Sequence, residues 1–246
     1  MKSKILLLSF LSLFLFSCSS DNEGSGAPSI PENEKLLESM NLFNTVNVQL
    51  TYNPDKTVET INFAGQAMFL FTYSGNQIST VEAVGTIGNG IYTLTYDNNG
   101  RISAFTLDDE VTPVVWNEAN RYYLYQRENL DEVTIILKPN EDVEKILYYD
   151  DFENETTSTT HFYEESKKGT MTNSNQIATV INLIFPSEEL AIYTSSLGKR
   201  PIKTLAMPYG ILTFQNTYDD QGFVSASSVT LGAEESSPIT YNYTQL

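Results

Sequence analysis

From Leu42 onward, Thr, Tyr, Val, Ile and Phe alternate with polar residues in short runs separated by Asn, Asp and Gly clusters. That is the pattern of half-buried β-strands joined by tight turns. Within a run the apolar residues stand two apart: Val48, Leu50 and Tyr52; Phe69, Phe71 and Tyr73; Tyr92, Leu94 and Tyr96. One face of each such strand is therefore buried. Each run ends on an aromatic residue or Leu, a polar turn follows, and apolar residues resume with a spacing of three. The triplets are Tyr52, Val58, Ile61; Tyr73, Ile78, Val81; Tyr96, Ile102, Phe105; and Trp116, Tyr122, Tyr125. They continue as Leu137, Val143, Ile146; Phe185, Leu190, Tyr193; and Tyr218, Val224, where Ser227 takes the last place.

The anchors recur about every 20 to 24 residues, a period that signals a repeat architecture. The wide gap before Phe185 has room for a degenerate copy around Phe162 and Met171. A spacing of three breaks the strand period, and a β-bulge just past the turn restores the face. Asp97-Asn98-Asn99-Gly100 suits a type I turn closed by a glycine bulge. A lone hairpin cannot bury its apolar face, so the copies must stack on one another. The predicted fold is all-β: repeated antiparallel β-hairpins in a long twisted or coiled meander sheet over residues 41–246. One short helix is predicted over Pro31–Met40, with Pro31 near its first position.

Composition narrows the chemistry. With 14 Lys+Arg against 31 Asp+Glu, the net charge is −17, and nucleic acid, which needs a basic footprint, is excluded as a partner. One His and one Cys exclude multi-His metal sites, thiolate zinc clusters and disulfides within the chain. The 41% hydrophobic content with 12% aromatics supports a folded core.

Candidate residues for catalysis are few. His161 lies in a polar strand-like stretch, and no Gly-x-Ser-x-Gly elbow accompanies it; it reads as structural. The acidic pairs, such as Glu188-Glu189 and Asp219-Asp220, fall at turns, where adjacent side chains point apart. They read as solvated turn residues and not as a glycosidase pair. No calcium-loop spacing or Gly-rich phosphate loop is present, so no metal and no cofactor is expected. The densest aromatic group is Trp116, Tyr122, Tyr123 and Tyr125, with Arg121 beside it. It reads either as cross-strand packing or as a ligand-binding face for glycan. Trp116, Tyr122 and Tyr125 stand on repeat positions, which leaves Tyr123 as the surface candidate.

The N-terminus reads as an address. Lys2 and Lys4 precede the apolar stretch Ile5–Phe16, too short to span a bilayer and fitting for a secretory signal over residues 1–17. Leu15-Phe16-Ser17-Cys18 resembles the lipobox of bacterial lipoproteins, with Phe16 looser than the usual pattern. The resemblance implies cleavage before Cys18 and lipidation of its sulfur, hence a membrane partner through the N-terminal lipid. Residues 18–40 then form a tether, with linker composition over Gly24–Pro31. Ser19-Ser20-Asp21-Asn22-Glu23 resembles the acidic export signal of Bacteroidota surface lipoproteins; a plain solvated tether is the other reading.

Tyr96-Asp97-Asn98-Asn99-Gly100-Arg101-Ile102 resembles the YD repeat of RHS-type proteins. Tyr218-Asp219-Asp220-Gln221-Gly222-Phe223-Val224 differs from that pattern at Phe223. The likeness implies stacked β-hairpins and carries no activity. Together these features resemble uncharacterised Bacteroidota envelope lipoproteins. The expected role is a non-catalytic structural or interaction module of the outer membrane. Its partner would be an envelope protein or a glycan, met at the cell surface or in the periplasm.

Overall fold

The computed structural model describes residues 35–126, 132–150, 155–172, 176–232 and 236–245; the signal segment, Cys18 and the tether to Glu34 lie outside them. The first half of the chain forms β1 (Lys35–Leu42), β2 (Val46–Tyr52), β3 (Val58–Phe63), β4 (Ala67–Ser74), β5 (Gln77–Gly85), β6 (Gly90–Tyr96), β7 (Ile102–Leu107), β8 (Glu110–Pro113) and β9 (Val115–Asn117). Then come β10 (Tyr122–Gln126), β11 (Glu132–Leu137), β12 (Val143–Asp150), β13 (Glu155–Tyr163), helices α1 (Ile177–Ile184) and α2 (Glu188–Ser195), β14 (Ile202–Met207), β15 (Gly210–Tyr218), β16 (Val224–Leu231) and β17 (Ser237–Gln245).

The strands make one antiparallel sheet in which chain neighbours pair with each other. It closes twice. β1 pairs with both β2 and β17, joining the two ends of the chain. β8 pairs with β7 and β9 with β10, while Val114 N between them donates to Ser103 O at 2.8 Å. The coiled meander is therefore a nearly closed up-and-down barrel, in which β8 and β9 each carry a ladder on one side.

The described part of the segment predicted as a helix, Lys35 to Met40, belongs to strand β1. Leu37, Met40 and Leu42 face the core, and β1 fills the seam between β2 and β17; the ladder bonds on both sides outweigh local helix propensity.

Four hairpin turns at one end of the barrel, those starting at Asn53, Asp97, Lys138 and Asp219, follow the same chemistry. Asp97 N donates to Arg101 O at 2.8 Å and Gly100 N to Asp97 O at 3.0 Å, while Asp97 Oδ1 accepts from Asn99 N and Arg101 N. Gly100 has φ +75°, and Lys56, Glu141 and Gly222 hold the same left-handed place in the matching turns. Gly100→Val is expected to lower stability by about 1–2 kcal/mol, since a β-branched residue resists that conformation. Lys56→Gly is expected to raise it by up to about 1 kcal/mol. Urea midpoints measure both.

The glycine bulge closes the turn but does not create the spacing of three. A second irregularity does. Tyr52 faces Val58 while Thr51 faces Thr60, leaving Glu59 as an extra residue; Ser79, Ser103, Glu144 and Ser225 repeat this. Beside the bulge, the first carbonyl of the post-turn strand lies outside the ladder to the next strand. Tyr hydroxyls supply the missing donor: Tyr52 to Leu37 O, Tyr73 to Val58 O, Tyr96 to Ile78 O, Tyr163 to Val143 O and Tyr243 to Val224 O, all at 2.7–2.8 Å. Burial pushes these hydroxyls above the ordinary tyrosine value, so they remain donors. Removing one of them, as in Tyr96→Phe, is expected to cost about 1 kcal/mol in thermal or urea unfolding.

One turn has been expanded. Glu164 N donates to Pro201 O at 2.9 Å and Tyr163 faces Ile202, with the ladder shifting beside them. Residues 165–200 thus occupy the place of a three-residue turn, and the copy sought around Phe162 is Tyr163, Ile202 and Leu205. The expected copy at Phe185, Leu190 and Tyr193 lies instead at the end of α1 and in α2, because a spacing of three also suits one face of a helix.

Both helices enter the barrel. Nearly every residue of α1 is buried, and Ser187 Oγ caps α2 by accepting from Leu190 N. Phe63 stacks on Tyr193 at 5.6 Å, and Phe185 packs against Phe69 at 5.5 Å and Tyr92 at 5.0 Å. Tyr125 donates to Leu183 O at 2.6 Å. The helical hairpin is the core around which the sheet closes.

Candidate functional site

Three places merit inspection: the lumen, the predicted aromatic group and the outer face. The lumen is mostly apolar; Ser227, Tyr241 and Ser196 make one buried polar contact, and β13 buries Thr157, Thr159 and His161. Asn182 Nδ2 donates to Thr194 Oγ1 at 2.8 Å, while Thr159 Oγ1, His161 Nδ1 and Asn182 Oδ1 are buried without a hydrogen-bond partner. A cavity of about 20 Å³ lies here, lined by His161, Asn182 and Thr194 among others, enough for one water molecule. Burial pushes the His161 imidazole down to about 4, so it is neutral at physiological pH. Asp142, on the same cavity, is committed: its carboxylate accepts from Lys199 N at 2.7 Å, Arg200 N at 3.2 Å and Asn140 Nδ2 at 2.7 Å. It ties the end of the inserted hairpin to the β11–β12 turn. Among the described residues, no three of His, Cys, Asp and Glu converge as a metal site.

The aromatic group splits across the barrel wall. Tyr123, expected on the surface, is completely buried, and Tyr125 is nearly so. The reason is a turn one residue longer than in the other copies: Asn117 pairs with Tyr122 and Trp116 with Tyr123. The extra residue sits in the turn, so this copy carries no bulge and places Tyr123 and Tyr125 on the inner face two apart. Tyr122 and Trp116 remain half-buried. Arg101 lies 4.5 Å over the Trp116 ring and Arg121 5.9 Å from it, while Tyr123 packs against it at 4.7 Å. Arg101 in turn bonds Glu141 at 3.1 Å. The indole is a packing element between side chains of two hairpins, β6–β7 and its own β9–β10.

The outer face is a coat of hydroxyls and amides. Asn47, Gln49, Thr51, Thr72, Thr93, Thr95, Thr213, Gln215, Thr217, Thr240 and Asn242 are all exposed. Thr72 and Thr80 bond across the strands at 2.6 Å, as do Thr51 and Thr60 at 2.7 Å. A lipid-facing barrel has the opposite pattern, apolar outside and polar within.

Exposed Val111, Val115, Phe162, Tyr209 and Ile211 interrupt the coat, and one stretch departs from it further. Met68 faces Val84, Leu70 faces Glu82, and Glu82 faces Ile91, so four apolar side chains surround one carboxylate on the outside of β4–β6. Val84 and Ile91 are 44% and 57% exposed. An open groove of about 810 Å³ runs from here to the Asn53–Thr57 turn, lined by Leu70, Tyr73 and Ile91 and by Asp55, Glu59 and Glu82. The signal for it in the sequence is the unbroken apolar run Met68–Phe71, where the strand alternation fails.

No family model matches the chain, and no curated protein matches it. Among solved structures, a porin-like protein from Bacteroides uniformis is 14% identical over 81% of this chain and 89% of its own, with a TM-score of 0.46. A Tc holotoxin pore from Photorhabdus luminescens is 13% identical over 81% of this chain, with a TM-score of 0.27. A TcdB2–TccC3 complex is 13% identical over 80%, also at 0.27. This chain spans only 9% and 10% of those two. None of these likenesses bears on activity.

Proposed function

We propose that this chain is a lipid-anchored protein of the bacterial outer membrane that serves as a non-catalytic structural or interaction module. The observation that carries this reading is the filled lumen inside a hydroxyl-coated wall. A barrel stoppered by its own helices offers neither a channel nor a substrate chamber, and a wall of Thr, Asn and Gln belongs in water. Work is then left to the outer surface, and attachment to a membrane falls to the N-terminus. The lipobox-like Leu15–Cys18 and the acidic residues after it support lipidation and delivery to the cell surface. The repeated tyrosine hairpins, two with a Tyr-Asp turn, support kinship with RHS-type β-shells. The alternative, glycan binding through Trp116 and Tyr122, has little support, since Arg101 and Tyr123 cover the indole.

Labelling cells with a clickable fatty acid tests the anchor: the wild-type chain is expected to take up label and Cys18→Ser to take up none. Label retained by the variant would refute lipidation at Cys18. Protease added to intact cells is expected to degrade the chain while a periplasmic control survives. Protection until the envelope is broken would move it to the periplasm.

A further inference from the structure

The inference that follows rests on the reading of the chain as an interaction module and names the chemistry of its partner. We propose that the outer groove over β4–β6 docks an extended segment of another protein that carries both basic and apolar side chains.

Shape comes first. The groove crosses the strands from the Asn53–Thr57 turn and Glu59 on β3 to Ile91 on β6, three strand spacings or about 14 Å, room for about four extended residues. The Thr72 and Thr80 hydroxyls that line it bond each other, so they ask little of a ligand. Its reactive features are Leu70 and Ile91, continued by Met68 and Val84, four apolar side chains brought together by the register of β4–β6. Exposed apolar side chains gathered on a polar surface mark a binding site.

Charge then selects the occupant. Asp55, Glu59 and Glu82 line the groove and no Lys or Arg does. The asymmetry extends over the molecule. Every described Lys and Arg, from Lys35 to Lys203, sits in a loop at the tyrosine-turn end of the barrel or within three residues of one. The opposite half, which holds Val84 and Ile91, carries Glu82, Asp108, Asp109, Glu110, Glu132 and Glu155 with no described cation. A second copy brings the same excess of acid, 31 Asp+Glu against 14 Lys+Arg, so like-on-like association is opposed by net charge. An anionic membrane surface is repelled in the same way. A segment with Lys or Arg between apolar residues complements both the carboxylates and the Leu70–Ile91 surface.

Two fluorescent dodecapeptides, one alternating Lys and Leu and one alternating Lys and Ser, serve as probes for the full chain. Anisotropy at about 0.15 M salt, where the Debye length is about 8 Å, reads the dissociation constants. The Lys/Leu peptide is expected to bind at least tenfold more tightly than the Lys/Ser peptide. Ile91→Ser is expected to abolish that advantage, Glu82→Gln to weaken both peptides severalfold, and Ile211→Ser, on the distant β15, to change neither. These side chains are exposed, so unchanged melting temperatures show that the variants are folded. Equal binding of the two peptides, or equal losses in Ile91→Ser and Ile211→Ser, overturns the proposal. So does self-association in sedimentation that Ile91→Ser abolishes, which would make the occupant a second copy. Failure here leaves lipid labelling and protease shaving untouched, so the envelope reading stands or falls separately.

Discussion

Replacing residues 165–200 with a three-residue turn such as Asn-Asn-Gly, the length found in the sister hairpins, is expected to leave a chain that no longer unfolds cooperatively. The geometry of Glu164 and Pro201 permits the short connection; the lumen does not. The inserted hairpin buries Ile177, Val180, Ile181, Leu183, Ile184, Phe185, Leu190, Ala191, Tyr193 and Leu197. Each large side chain among them contributes about 1.5–3 kcal/mol by burial, and deleting them empties the centre of the shell. The shell would also be left with Phe63, Phe69 and Tyr92 facing water. Near-ultraviolet circular dichroism and dye binding should report lost tertiary packing with strand content partly retained. A sharp unfolding transition and a monomeric shell would show instead that the sheet holds itself together.

The second large effect is acid lability centred on His161. Its side chain is 2% exposed, and burial holds it neutral down to about pH 4, whereas in the unfolded chain it titrates near 6.5. The unfolded state therefore binds the proton first. Stability from this residue is fully present above about pH 6.5 and falls as pH drops toward 4, by about 2–3 kcal/mol at pH 4.5. Carboxylates also respond in this range, so the comparison is with His161→Gln, which keeps a polar side chain without the titration. Urea midpoints at pH 7.5 and 4.5 should fall further in the wild type than in the variant. Equal falls would mean that His161 meets water or a proton acceptor in the folded state.

Much of the shell is legible in the sequence. Alternation located the strands, and the triplets such as Tyr96, Ile102 and Phe105 located both the turn and the side that faces inward. They could not tell the two irregularities apart, since a bulge at Ser103 and a bulge at Gly100 leave the same apolar spacing. The Trp116 copy shows the limit: moving one residue from the bulge into the turn exchanges Tyr122 and Tyr123 across the wall, and the composition of that stretch is silent about it. The helices were hidden because Leu190 and Tyr193 satisfy a helix and a bulged strand equally. β1 was hidden because Leu36, Leu37 and Glu38 favour a helix until β17 and β2 offer it two ladders. Of the candidate site, the acid excess was visible, but not its polarity, because cations from Lys56 to Lys203 gather at one end only after the chain is folded.

The seam between β1 and β17 sets the timetable of folding. Lys35 lies opposite Gln245, so the first strand waits for β17 before its second ladder can form. Contacts of such sequence separation form slowly. A nascent chain still lacking β17 has an open sheet whose first strand is paired on one side only, with β2. The barrel stays open until β17 joins, so closure of the seam is expected to be the last event of folding.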